Sequence, residues 1–201
     1  VAPSATTGPA LAPVNGSAVF SDDGHHRFLL ERRWDDSLPS FTYILLNPSV
    51  ADADHDDPTV ARLLRLTRHN GGGRFVLVNL FSVVDTFQQR LHLTGERNDR
   101  WRENREWVAD ALRRPSVLVV GWGDGRADDK TARGRRSAVR CRAEEIWPLI
   151  AAARPHCFRT LRSGAPGHPG RLRGTSRIRP YRPPPPTPGS SPHPGDGLSQ
   201  G

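Results

Sequence analysis

Short apolar runs recur along the chain, and the stretches between them carry apolar positions at helical spacing. Phe41-Thr-Tyr-Ile-Leu-Leu46 reads as a buried strand that ends abruptly at Asn47-Pro48, and Phe75-Val-Leu-Val78 as a second that ends at Asn79. Val117-Leu-Val-Val120 is a third, running into Gly121-Trp122, and Cys157 to Leu161 a short fourth. Val60, Leu63, Leu64 and Thr67 share one helical face. That helix is expected to start at Pro58, with Asp56 or Asp57 as its cap, and to stop at Asn70-Gly71-Gly72-Gly73. A polar helix is predicted over 96–114, with Trp101, Trp107, Val108 and Leu112 available for burial, and another from about 133 to 153.

Ahead of these, Ala18 to Trp34 reads as a hairpin: Val19-Phe20, a turn at Asp22-Asp23-Gly24, then Arg27 to Trp34. Strands alternating with helices predict an α/β fold, a three-layer sandwich with a mainly parallel central sheet and an antiparallel N-terminal hairpin. Each β-α-β unit then requires a right-handed crossover. The expected folded unit spans 17–182 as a single domain. Residues 1–16 and the Pro-rich tail 183–201 lack apolar periodicity and cannot offset their ordering entropy, so both are expected to be disordered.

Charge changes the picture at one end only. Of the net +8, residues 1–132 contribute −2 and residues 133–201 contribute +10, the latter from 13 Arg against Glu144, Glu145 and Asp196. Arg133, Arg135, Arg136, Arg140 and Arg142 fall on the last predicted helix, and Arg171 and Arg173 belong to a second set that follows. Such a face suits phosphates, so DNA or another nucleic acid is the expected partner. Lys130 is the sole lysine, which also reads as a compositional preference for Arg. Two cysteines, Cys141 and Cys157, are too few for a four-cysteine zinc or iron–sulfur site. No metal or other cofactor is expected. No apolar run approaches the roughly 20 residues of a membrane span, and no membrane partner and a cytoplasmic location are expected.

The candidate chemistry lies at strand ends, where α/β folds bind ligands. Asn47 and Asn79 are each delivered there by an apolar strand. His168, within Ser163-Gly-Ala-Pro-Gly-His168-Pro169, follows the fourth strand in a tight loop that can present an imidazole to an anionic or carbonyl oxygen. The acidic loop from Asp52 to Asp57 fails as a calcium loop, because its sixth position is Asp57 rather than Gly and its twelfth is Leu63 rather than Glu. Asp52 and Asp57 remain candidates for site support. Gly121-Trp-Gly123-Asp-Gly125 matches neither a phosphate loop nor a dinucleotide fingerprint, and no Ser stands in a nucleophile elbow.

Together, Asn47-Pro-Ser-Val-Ala-Asp52 with Asp57-Pro-Thr, Val78-Asn79-Leu-Phe81, Trp122-Gly123 and Ser163 to Pro169 resemble the bacterial and phage family catalogued as domain-of-unknown-function 1643. The order of these motifs is also similar to that of the uracil-DNA glycosylase superfamily. That resemblance implies a water-positioning role for Asn47, base reading by Asn79 and stabilisation of the departing base by His168. Ser49 stands where some glycosylases place a bulky aromatic, so bases substituted on the ring carbon facing it need not be excluded. Leu45-Leu46 and Gly170 depart from the superfamily pattern, and Asn47 replaces a carboxylate, so it cannot act as a general base. The expectation is a glycosylase-like domain that binds a nucleobase or nucleic acid and cleaves an N-glycosidic bond. The alternatives are a non-catalytic nucleic-acid or protein-binding module and a small-nucleotide processing enzyme.

Overall fold

The computed structural model describes residues 14–84, 100–113, 117–124 and 138–183. Most of both expected tails, together with Arg133, Arg135 and Arg136, lies outside them. The fold is mixed α/β. Its elements are β1 (Asn15–Phe20), β2 (Arg27–Arg33), β3 (Ser40–Leu45), α1 (Pro58–His69), β4 (Arg74–Asn79), α2 (Trp101–Ala111), β5 (Val117–Val120), α3 (Ala138–Ile150), β6 (His156–Cys157) and β7 (Arg179–Pro180). Short 3₁₀ turns occupy Ala151–Ala153 and Pro169–Arg171.

Among the described residues, seven strands form one sheet in the order β1-β2-β4-β3-β5-β6-β7. β4, β3, β5 and β6 run parallel at its centre, while β1, β2 and β7 are antiparallel to their neighbours. β3 is central, and every residue of it is buried. Its alternation divides the core in two. Phe41, Tyr43 and Leu45 join Phe75 and Leu77 of β4 and Val60, Leu63 and Leu66 of α1 in one apolar cluster. Ile44 and Leu46 join Val78, Val120, Val108 of α2, and Ile146 and Ile150 of α3 in the other. Each fully buried aliphatic side chain contributes about 1.5–3 kcal/mol.

α1 begins as its sequence requires. Asp57 has extended backbone, its Oδ1 accepts the N–H of Val60 at 2.7 Å, and Pro58 fills the first helical position. The last parallel strand is shorter than its apolar run suggests. Leu161 N–H donates to the Ala165 carbonyl and Gly164 N–H to that of Leu161, so the chain after Phe158 turns back on itself instead of extending the sheet. Among the described residues, no helix is long and apolar enough to cross a membrane.

Gly72, at the turn from α1 into β4, has no room for a side chain. A Cβ there would lie 2.5 Å from Thr67 Cγ2 and 2.6 Å from Phe41 Cδ2. Gly72→Ala is expected to destabilise the protein by about 1–3 kcal/mol through overpacking, read as a lowered urea midpoint. An unchanged midpoint would show that this turn can shift to make space.

Candidate functional site

The parallel register decides where the two strand-end amides lie. Leu45 of β3 is the ladder partner of Asn79, so the β3 row Tyr43-Leu45 continues to Asn47 on the same side as the β4 row Phe75-Leu77-Asn79. Beyond these strand ends is a pocket of about 150 Å³. Leu45, Leu77 and Val60 form its apolar part, and Asn47, Ser49, Asp57, Thr59, Asn79, Arg27 and His168 supply polar groups. Five of the candidate residues, from three separate parts of the chain, therefore meet around one cavity.

Each is held in a particular way. Asn47 Nδ2 donates to the Pro48 carbonyl at 3.0 Å. Asn79 is buried, and its Oδ1 accepts from Arg27 Nη2 at 3.3 Å, which favours its amide N–H₂ as the group offered to an occupant. Asp57 reaches the pocket from the α1 cap. His168 caps the following 3₁₀ turn, its Nδ1 accepting the N–H of Gly170 at 3.1 Å. An Nδ1 that accepts leaves the proton on Nε2, so the ring presents a donor. A Cβ at Gly170 would lie 3.1 Å from His168 Nδ1. Gly121, after β5, similarly lets the His168 loop come close, since its Cβ would meet Pro169 Cδ at 3.1 Å.

Asp52 is not in the lining. Its carboxylate organises the loop instead, accepting the N–H groups of Asp54 and His55, bonds that hold it below the usual carboxylate range. The same loop is pinned from β2 by Arg32, which donates to Asp56 Oδ1 at 2.8 Å and to the Asp52 carbonyl at 2.7 Å. Ser49 lines the pocket, and its Oγ accepts the Val50 N–H. Arg140 is not in the lining; it lies on α3 and is paired with Glu144 at 3.1 Å. Arg171 and Arg173 are exposed just beyond the His168 turn. Among the described residues, no group of three or more His, Cys, Asp or Glu side chains is placed to hold a metal ion.

Arg27 is the residue that pattern reading missed. Leu30 faces the α1 side of the sheet, and a regular strand would turn Arg27, three residues away, to the other side. The β1–β2 ladder shifts register here, pairing Val19 with Leu29 but Phe20 with Arg27. This irregularity re-aims the side chain toward the pocket, as bulges do. Arg27 is 2% exposed and donates from Nη1 to the Ala51 carbonyl at 3.0 Å as well as to Asn79. It forms no ion pair among the described residues, and its Nε–H has no hydrogen-bond partner. Burial pulls its pKa down to about 10, opposed by the charge of Asp57 and aided by Arg32, so it is a buried cation at neutral pH.

The family model of a protein of unknown function, DUF1643, matches residues 27–170. The chain belongs to the DUF1643 family. The matched segment opens at Arg27 and closes at Gly170, so every residue lining the pocket lies within the DUF1643 region, while β1 and the segment after the His168 turn lie outside it. No curated protein and no solved structure matches the chain.

Burial lowers the His168 pKa below the ordinary 6.5, with Asp57 opposing the shift and Arg159 adding to it. The unfolded chain therefore binds this proton more readily than the folded one, so the stability linked to His168 is present above about pH 6.5 and lost as pH falls toward the lower folded value. Urea unfolding of the wild type is expected to show that loss on acidification. His168→Gln should flatten its slope with pH, and an unaltered slope would place the imidazole in water.

Proposed function

We propose that this domain binds a nucleobase in the pocket at the ends of β3 and β4 and cleaves its N-glycosidic bond. The observation that carries the reading is the meeting of Asn47, Ser49, Asp57, Asn79 and His168 around one cavity of about 150 Å³. A cavity of that size accommodates a benzene-like ring. Its apolar part suits the faces of a base, and its donors suit the oxygens on a base edge. We take the fold as a three-layer sandwich, with α1 over one face of the sheet and α2 and α3 over the other, the arrangement shared by the uracil-DNA glycosylases whose motif order this chain resembles. A cytoplasmic protein acting on nucleic acid fits this reading.

In the proposed reaction the bond from the sugar C1′ to the base nitrogen breaks with its electron pair on the base. A water oxygen bonds to C1′, and its proton passes to the Asp57 carboxylate. Asn47 orients that water. Asn79 donates to a base carbonyl, His168 donates from Nε2 to an oxygen on which charge develops, and the Arg27 guanidinium stabilises the departing anion in a site of low dielectric. Base extrusion supplies access. A non-catalytic binding module is favoured by one feature: Asp57 Oδ1 is already engaged in capping α1.

Incubation with oligonucleotides carrying uracil, hypoxanthine or other modified bases should yield abasic product. Asn47→Ala and His168→Ala should each slow it by about 10²–10³-fold, with oligonucleotide affinity nearly intact. Binding without product from the wild type would replace the enzyme reading with the binding module. Turnover of free nucleosides alone would make this a small-nucleotide enzyme.

A further inference from the structure

Among the described residues some arginines pair with carboxylates and others, Arg27, Arg102 and Arg105 included, do not. Arg32, Arg33, Arg100, Arg113, Arg140 and Arg142 are each paired with a carboxylate. Those on α1 and on the segment after the His168 turn are not. Arg65, Arg68, Arg171, Arg173 and Arg177 form no ion pair among the described residues, and neither α1 nor residues 169–182 contain an acidic side chain.

These arginines share one surface. The segment after His168 runs along α1 in the same direction as the helix. Gly170 approaches Thr59 at its start and Gly174 approaches Arg65 at its middle; Asn70, just past its end, donates to the Ser176 carbonyl and accepts from Ile178 N–H. Arg177 also donates to the His69 carbonyl. Within this strap, Leu172, Gly174, Ser176 and Ile178 turn inward and are half-buried, whereas Arg171, Arg173 and Arg177 are exposed. Packing Leu172 and Ile178 against the core therefore directs the intervening arginines outward. Arg68 lies over the Trp34 ring at 5.0 Å and forms no ion pair among the described residues.

We propose that α1 and this strap form a track for the sugar–phosphate backbone of a single-stranded nucleic acid, leading from the pocket mouth along the helix. Unpaired guanidiniums on segments that carry no carboxylate of their own bind phosphates without first breaking an ion pair. The track starts at His168, whose ring lines the pocket, and runs about 18 Å along the 12 residues of α1. This continuity selects a polynucleotide over an acidic peptide or a membrane, and to that extent the inference rests on the nucleobase reading. It also places phosphate binding on the α1 side of the sheet rather than on the Arg140 face of α3.

The test is a salt titration of binding to a fluorescent oligothymidylate and to an abasic oligomer of the same length. Joint replacement Arg171→Gln, Arg173→Gln and Arg177→Gln should flatten the log–log salt slope by about 2 on both probes, at roughly 0.7 per phosphate contact. The corresponding Lys replacements should keep the slope, and Arg102→Gln with Arg105→Gln on α2 should leave it as in the wild type. An unchanged slope in the strap variant, equal flattening by the α2 variant, or equally salt-dependent binding of polyglutamate or anionic vesicles would overturn the track. Asn79→Ala should weaken only the base-bearing probe. If it affects neither probe while the strap effect persists, the nucleobase reading fails and the track stands.

Discussion

A guanidinium without water must have its donors and its charge answered by the protein, and the pocket is built around that demand. Arg27 meets it with the Ala51 carbonyl, the Asn79 amide oxygen and the field of Asp57, with no carboxylate among the described residues in direct contact. Leaving a charge so incompletely compensated costs several kcal/mol in a low-dielectric interior. The arrangement around it follows. The loop after β3 must bring the Ala51 carbonyl inward, Asn79 must turn its oxygen toward β2, and Asp57 must enter as the cap of α1. A ligand oxygen bearing partial or full negative charge would supply what Arg27 lacks.

The floor of the site is also braced by residues of α2 and α3. Asn104 of α2 is fully buried and donates to the Asn79 carbonyl at 3.0 Å, while Arg142 of α3 donates to the Leu80 carbonyl at 3.2 Å. Arg142 is itself stacked at 3.8 Å over Trp101. The backbone that carries Asn79 is therefore fixed by two helices that never reach the pocket. A site whose geometry must hold to a fraction of an ångström needs such backing.

What could be read from the sequence and what could not divides along physical lines. Asn47 and Asn79 were legible because fully buried parallel strands write continuous apolar runs and their ends are conspicuous. His168 was legible from its Gly-Pro setting. Arg27 was not, because a break in the alternation of β2 returns it to the α1 side, and register against β1 is invisible in one strand alone. Asp52 and Asp57 looked equivalent in the acidic loop, yet one closes the loop on itself and the other caps a helix that points at the cavity. The arginines raised a further difficulty. Composition gave their number and their C-terminal bias, but pairing depends on neighbours in space, and it is pairing that separates Arg140 from Arg171 and Arg173.

The way the strap lies over α1 has a bearing on when the site comes into being. Arg27, Asn47, Asp57 and Asn79 all belong to the first half of the chain, whose β-α-β unit can pair as soon as β4 has been made. His168 arrives only after β5, α3 and β6 have been added at the other side of β3, and it is anchored by a segment that must cross back to the helix formed earliest. A growing chain would thus carry an unfinished pocket until nearly all of the domain had emerged. His168 would join the other pocket residues only once the strap had docked on α1.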